Sequence, residues 1–227
     1  MATIISADNG SVSGSAGLKS SADSSGILQL QTGANVNALQ IDENQYPSAT
    51  INGLGKGLIP AEQFYRLNST LTGSNATGAQ SILGVGVTLV GSTVYQFEAV
   101  YPISKTAGTT SHTIGLSFGG TATLNNIAYE LTGLFKSNGF TGVVAPDVLV
   151  YVQTASNTTV TASTTSASVQ FIALLKGTVS VNVGGTFIPQ YTLSSAPGGA
   201  YTAAIGTYFK ISPLAASGAN VNIGTWA

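Results

Sequence analysis

The residue types that most often perform chemistry are scarce in this chain, and their spacing decides whether they can act together. The only histidine is His112, at the start of a predicted strand. Serine is abundant, but no G-x-S-x-G turn is present to position a serine nucleophile for a Ser-His-Asp arrangement. The sequence therefore favours a structural, strand-edge histidine over a catalytic one.

Paired carboxylates are the other candidate for catalysis, because glycoside hydrolysis uses two Asp or Glu side chains on either side of the scissile bond. The C-terminal two thirds of the chain offer Glu98, Glu130 and Asp147 for this role. Glu98 alternates with aromatic neighbours, a pattern that suits a subunit contact or a solvated face. Three scattered acids show no pairing, so we predict no catalytic residue and no enzyme.

Metal and cofactor sites are equally poorly supported. Asp42-Glu43-Asn44 offers oxygen ligands but lacks the spaced acids and closing carboxylate of a calcium loop. The glycine-rich run 53–57 lacks the G-x-x-x-x-G-K-[ST] spacing of a phosphate-binding loop. The chain has no cysteine, which excludes disulfides and thiolate metal sites. We predict no metal and no cofactor.

Charge is the property in which the composition departs most from the ordinary. Charged residues make up 7% of the 227 residues, against a typical value of about 25%, and the formal net charge is −1. Such a chain has no long-range field to attract nucleic acid or an anionic membrane, so neither is an expected partner. The N-terminus shows no export signal, and no apolar run is long enough to span a membrane.

Strand patterns with turn signals between them dominate the chain from about residue 63 onward. No segment shows a convincing helical period, and Gly184-Gly185 between two alternating runs predicts a hairpin. The number and spacing of the strands favour an all-β fold, a jelly-roll-like β-sandwich. The predicted strands are Gln63–Leu71, Gly84–Leu89, Thr93–Ile103, His112–Phe118, Ala128–Phe135, Val148–Thr154, Ser168–Leu175, Gly177–Val183, Thr186–Leu193, Thr207–Pro213 and Val221–Trp226.

The first 60 residues differ from this body and predict an extended N-terminal arm that ends in a Gly-rich linker at 51–60, with the sandwich occupying residues 61–227. The arm opens with a Gly/Ser-rich stretch that cannot bury enough apolar surface to fold alone. Two short alternating runs, 27–31 and 38–41, predict strands that need pairing partners from the body or from another subunit. We predict that their apolar residues form an assembly interface: Ile27, Leu28, Leu30, Leu39 and Ile41.

Two groups of segments resemble virion proteins of tailed phages, particularly phages of aquatic bacteria and cyanobacteria. The segments 6–10 and 17–33, beginning Ser6-Ala7-Asp8-Asn9-Gly10, resemble an N-terminal segment often attached to tail fibres. The segments 104–113, 118–127 and 184–193 resemble a second module of the same phage proteins. The first resemblance covers about 40 residues, and the second covers most of residues 64–226. The resemblance implies a virion structural protein without catalytic residues.

Two roles on the particle surface follow from that resemblance. A short arm with one compact body suits a capsid decoration, or cement, protein that binds the major capsid protein through its arm and forms a homotrimer. The alternative is a short trimeric tail fibre or receptor-binding protein that joins tail proteins and contacts host surface glycans. A secreted carbohydrate-binding or hydrolysing protein is disfavoured, because the chain lacks an export signal and paired acids.

Overall fold

The structure, a computed structural model, describes the side chains of residues 62–134, 150–160 and 163–222. It also describes the backbone of Phe135, Val148 and Leu149 and of six short strands before residue 62. Within this part of the chain every regular element is a β-strand, so the all-β prediction is confirmed. By compactness the chain divides into two units, Met1–Ala49 and Thr50–Ala227.

Nineteen strands follow one another along the described part of the chain, and every pairing between them is antiparallel. Their bounds are β1 Asp8–Asn9, β2 Ala16–Gly17, β3 Leu28–Gly33, β4 Val36–Ile41, β5 Pro47–Thr50, β6 Lys56–Leu58, β7 Gln63–Arg66, β8 Leu71–Thr72, β9 Gly78–Ser81, β10 Val87–Leu89, β11 Thr93–Lys105, β12 Ile114–Gly119, β13 Thr123–Phe135, β14 Val148–Val152, β15 Thr158–Thr159, β16 Val169–Val183, β17 Gly185–Leu193, β18 Thr202–Ala203 and β19 Tyr208–Ala216.

The second unit is a jelly roll, as its strand order demonstrates. Its large sheet contains the order β7-β19-β11-β16, and its small sheet has the order β10-β17-β12-β15. Counting these eight strands along the chain gives sheets of order 1-8-3-6 and 2-7-4-5, which is the arrangement of two interlocked Greek keys. The hairpin β13-β14 is inserted between β12 and β15 and extends the large sheet beyond β16. The predicted jelly-roll sandwich is confirmed.

The core between the sheets follows from alternation along the long strands. On β11 every second residue is buried, and the intervening residues face outward. The buried residues of β11 include three large aromatic side chains that reach toward the small sheet, where buried residues of β12 and β17 meet them. These three residues are Tyr95, Phe97 and Tyr101. The same period of two runs through β17 and through the first eight residues of β16.

The predicted hairpin at Gly184-Gly185 is wrong. β16 pairs with β11 and β13 in the large sheet, whereas β17 pairs with strands of the small sheet, so the chain crosses between sheets at this point. Both glycines are needed for close packing at this corner. A Cβ on Gly184 would lie 2.8 Å from the Leu89 carbonyl oxygen, and one on Gly185 would lie 2.6 Å from Thr121 Oγ1. A sheet-to-sheet corner and a hairpin turn thus share the same sequence signal.

The predicted break between strands at Lys176-Gly177 is also wrong, because β16 runs without interruption from Val169 to Val183. Gly177 lies opposite Tyr129 in the neighbouring strand β13. A Cβ on Gly177 would meet the Ala128 carbonyl oxygen at 2.2 Å and Tyr129 Cβ at 2.4 Å. The glycine therefore permits a close approach between two strands and does not mark a turn.

Other differences concern the ends and the shortest strands. The predicted strand 63–71 is divided into β7 and β8, and no sequence pattern indicated β9, β15 or β18. The predicted linker 51–60 contains β6, which pairs with β19 at Ala215. The predicted strand Val221–Trp226 lies mostly outside the described residues, and its first two residues are not in a strand.

Replacing Gly177 with alanine tests the close approach of β13 and β16. The added Cβ forces the two strands apart, and we expect Gly177→Ala to lower the free energy of unfolding by about 1–3 kcal/mol. The matched control is Thr178→Ala at the next, exposed position, for which we expect a change within about 0.5 kcal/mol. Urea unfolding followed by tyrosine fluorescence measures both. Equal stability of the two variants would contradict this role of Gly177.

Candidate functional site

The single histidine, predicted as a structural residue at a strand edge, is buried at 1% exposure. It precedes β12 and forms an isolated bridge with Thr164, in which each backbone N–H donates to the other residue's carbonyl. Its ring Nδ1 lies 2.7 Å from the Thr110 carbonyl oxygen, and its Nε2 lies 2.7 Å from the Tyr201 hydroxyl. Both ring nitrogens are therefore engaged within the protein.

The hydrogen-bond partners of the His112 ring show which ring nitrogen carries a hydrogen. A carbonyl oxygen can only accept, so Nδ1 carries the hydrogen that it donates to Thr110. In the neutral imidazole Nε2 then accepts from the Tyr201 O–H. Burial, followed by the neighbouring Tyr191, raises the pKa of Tyr201, so this hydroxyl keeps its proton. The histidine has no free nitrogen with which to act as a base on a bound molecule.

Lys105 is a buried cation, at 2% exposure, and its ammonium group is fully hydrogen-bonded. Nζ donates to the carbonyl oxygens of Gly108 and Ser166, both at 2.6 Å, and of Ala107 at 3.2 Å. A lysine ammonium has three hydrogens, so all of its donors are satisfied. It also lies 6.0 Å from the centre of the Tyr201 ring. Burial lowers the pKa of Lys105.

These three polar side chains, Lys105, His112 and Tyr201, form what we call the polar cluster. It joins the loop after β11, the segment before β16 and the start of β18 at one end of the sandwich. Every donor and acceptor that would be useful for chemistry is already paired with a backbone or side-chain partner. The cluster therefore stabilises loops through hydrogen bonds, and the absence of a catalytic role for the histidine stays a prediction.

The candidate carboxylates are not brought together as a catalytic pair. Glu98 and Glu130 both lie opposite Lys176, on the two strands that flank β16, so a lysine separates them. Both lie on the outer face of the large sheet, where Glu98 is half-buried and Glu130 is exposed. Asp147 and Asp42-Glu43-Asn44 lie outside the described residues. Among the described residues, no group of three or more His, Cys, Asp or Glu side chains is positioned to bind a metal ion.

The predicted interface residues of the arm fall on a hairpin in the first unit. β3 pairs with β4, and the register places Leu28 opposite Ile41 and Leu30 opposite Leu39. β4 also pairs with β5. The strands predicted to need outside partners therefore pair with each other, while Ile27 lies outside the described residues. Their role as an assembly interface stays a prediction.

The outer face of the large sheet is the surface that sequence reasoning missed. Its outward residues include Leu134, Ile172 and Leu174, which are 37–38% exposed although they are aliphatic and lie within long strands. The ladder places Pro102 beside Ile172 and Val100 beside Leu174. We call these five residues the outer patch. The sequence of residues 169–176 contained an indication of this surface. Aliphatic residues occur there at both the odd positions, which face the core, and the even positions, which face outward.

A line of charges crosses the same face next to the outer patch. The register gives the order Glu130, Lys176, Glu98, Lys210 from β13 to β19, and we call these four residues the charged row. Lys210 Nζ lies 3.7 Å from Glu98 and 3.0 Å from Glu62. The hydrogen bond and the attraction of Glu62, followed by the attraction of Glu98, raise the pKa of Lys210.

Among the residues of the second unit whose side chains the structure describes, exposed charge is confined to this face. Apart from the buried Lys105, the charged side chains among these residues are the charged row together with Glu62 and Arg66, which flank Lys210 and Tyr208 at the edge strand. The small sheet instead presents uncharged polar groups outward. Thr192 lies on this face and is hydrogen-bonded at 3.1 Å, across β12 and β17, to Ser117, which is itself buried. The two faces of the sandwich are thus chemically distinct.

A second apolar feature lies at the edge of the sandwich, where β7 and the segment before β10 part. A cleft of about 190 Å³ opens there, and its walls are mostly apolar. Phe64, Tyr65 and Val85 line it and are 44–55% exposed. None of the described residues that line it is charged, so it suits the packing of an apolar segment and not chemistry.

Comparison with known proteins adds little. No protein-family model matches the sequence, and no curated protein matches it. Among solved structures, the chain is similar to the structure of the infectious bursal disease virus Gx strain, with 9% identity and a TM-score of 0.21. The match covers 83% of this chain and 49% of that chain, so this chain spans about half the length of that structure's chain. A likeness at this TM-score carries no argument.

The described residues contain no helix long and apolar enough to cross a membrane.

Two tyrosine-to-phenylalanine changes test the polar cluster. Tyr201→Phe removes the hydroxyl paired with His112 and leaves a buried acceptor unpaired, so we expect a loss of about 1–2 kcal/mol. Tyr101 is the matched control, because its hydroxyl is buried without a hydrogen-bond partner. We expect Tyr101→Phe to be neutral or stabilising. Chemical denaturation measures both, and a larger loss for Tyr101→Phe would contradict the account.

Alkaline unfolding provides a second test. Burial raises the pKa of Tyr191 to about 12, and its hydroxyl donates to Gln80 at 2.8 Å. Between pH 10 and 12 the unfolded chain loses this proton and the folded chain keeps it, so stability falls as the pH rises. We expect Tyr191→Phe to reduce the slope by up to about 1.4 kcal/mol per pH unit. An unchanged slope in pH-dependent urea unfolding would contradict the assignment.

Proposed function

We propose that this chain is a non-enzymatic structural subunit of a phage particle, specifically a capsid decoration protein on the outer surface of the virion. It binds the major capsid protein through its N-terminal region and stabilises the shell. The observation that carries the proposal is the outer face of the large sheet, where an aliphatic patch stays uncovered in a body that otherwise hides most of its apolar side chains.

An exposed aliphatic patch costs solubility unless another surface covers it, and patches of this kind mark protein interfaces. The outer patch is bounded by the charged row on one side and by polar residues such as Gln170 and Ser104 on the other. An apolar centre with a polar rim is the usual anatomy of a protein interface. The rest of the described surface can lie against neighbours with few buried charges, because it is almost uncharged.

The pairing of every chemical group in the polar cluster supports a structural role over catalysis. His112 and Lys105 are the residues that an enzyme would most readily use, and both are fully hydrogen-bonded to the protein itself. The jelly roll presents large flat sheet faces, which suit packing in an ordered lattice. Repetition over many sites makes weak contacts collectively strong.

A short tail fibre or receptor-binding protein is the second candidate. Tyr151 on β14 favours it, because its side chain is 69% exposed and offers an aromatic surface to a ligand such as a host glycan. This role uses the same body but a few copies at the tail. The homotrimer expected for both roles stays a prediction.

Removing the first unit tests attachment through the N-terminal region. We expect a phage that encodes only Thr50–Ala227 to produce particles without this protein, because the arm supplies the contact with the capsid. The cut follows the boundary between the two compact units and leaves the β3-β4 hairpin undivided. Circular dichroism of the purified fragment controls for folding. Undiminished incorporation of the folded fragment would rule out attachment through residues 1–49.

A further inference from the structure

The charges across the large sheet alternate in sign, so that a rotation about the centre of the row places each charge on one of opposite sign. Along the charged row the signs are negative, positive, negative, positive, and the midpoint falls between Lys176 on β16 and Glu98 on β11. Turning such a row through 180° about an axis parallel to the strands at that midpoint exchanges its signs. A row with this property is complementary to a second copy of itself.

From this arrangement we infer that the outer face of the large sheet binds the same face of a second copy, around a two-fold axis parallel to the strands between β16 and β11. The inference rests on the proposed role as a subunit of an assembly and names one of its contacts. In such a dimer Lys176 lies over the partner's Glu98, and Glu130 lies over the partner's Lys210. Each carboxylate therefore meets an ammonium group.

The outer patch is also complementary to itself under rotation about this two-fold axis. Leu174 and Val100 are neighbours across the midpoint, as are Ile172 and Pro102, so the rotation places Leu174 over the partner's Val100 and Ile172 over the partner's Pro102. Aliphatic groups then meet aliphatic groups at the centre, and charges meet at the rim. Sheets that pack face to face keep their strands within about 30° of each other, which a two-fold axis along the strands allows.

A different protein as the occupant explains the outer patch but not the antisymmetry of the charges. A foreign partner needs only one complementary surface, whereas a two-fold contact requires the same surface to complement itself. The confinement of exposed charge to this face, among the residues whose side chains the structure describes, also favours a second copy as the partner. Charges in a charge-poor body fix the register of a contact and exclude wrong partners more than they add affinity.

Charge reversal in the full-length protein tests the contact. Lys176→Glu places carboxylates opposite Glu98 of the second copy at both symmetric positions, and Glu98→Lys does the same with ammonium groups. We expect either variant to raise the dimer dissociation constant at least about tenfold. Analytical ultracentrifugation measures this. Val183→Glu is the control, because Val183 is 56% exposed at the end of β16 and does not face outward with the patch.

Mixing the two reversed variants distinguishes the loss of a contact between two copies from the loss of the Lys176–Glu98 pair within one sheet. In the mixed dimer the carboxylate introduced by Lys176→Glu in one variant faces the ammonium group introduced by Glu98→Lys in the other, so every position is again complementary. We expect the mixture to form a heterodimer with nearly the wild-type dissociation constant, although neither variant retains the Lys176–Glu98 pair within its own sheet. If the mixture remains monomeric while both variants are folded by circular dichroism, the inference is overturned.

The mass of the wild-type protein in solution gives its oligomeric state, which supports or overturns the inference. A dimer that the single reversals dissociate supports the inference. A monomer, or a trimer whose mass neither reversal changes, overturns it. If the wild-type protein is monomeric but Leu174→Glu prevents its incorporation into particles, the patch binds another virion protein, and the proposed function stands without this contact. A dimer that is absent from particles retains the contact and removes the proposed function.

Discussion

The packing of aromatic rings between the two sheets is the interaction on which the rest of this structure depends. Phe118 of the small sheet stacks on its neighbour Phe187 at 4.7 Å and meets Phe97 of the large sheet edge-on at 5.5 Å. Phe209 stacks on Phe97 at 5.7 Å, and Tyr129 lies edge-on to Phe118. These rings come from five different strands, so their contact fixes which face of each strand points inward. The chemistry of each outer face follows from that choice.

The polar groups of this body lie in two separate places with different roles. At one end of the sandwich the buried Lys105 and His112 use their hydrogen-bonding capacity to join loops, which leaves neither of them free for catalysis. On the outer face of the large sheet, Lys176 and Lys210 alternate with glutamates and border an aliphatic patch. One set of polar groups therefore serves stability, and the other faces a partner in the proposed assembly. This separation is consistent with a structural subunit.

Sequence reasoning predicted the parts of this fold that depend on local periodicity. The alternation of β11 and β17 and the lack of helical patterns were sufficient for the all-β sandwich. Sequence could not distinguish a hairpin glycine from one at a sheet-to-sheet corner, as at Gly184, or from one that permits close strand approach, as at Gly177, because those roles depend on the neighbouring strand. The charged row could not be predicted from the sequence for the same reason. Its members lie far apart in sequence and become neighbours only through the ladder.

The copy number of this chain in purified virions distinguishes a capsid decoration protein from a tail protein. Quantitative mass spectrometry against the major capsid protein measures it, with particles treated at high salt as a control for loosely bound protein. The account predicts hundreds of copies per particle, in a fixed ratio to the capsid subunit. A count of a few to tens would contradict capsid decoration and place the protein at the tail, and its absence from purified virions would contradict a role as a particle subunit altogether.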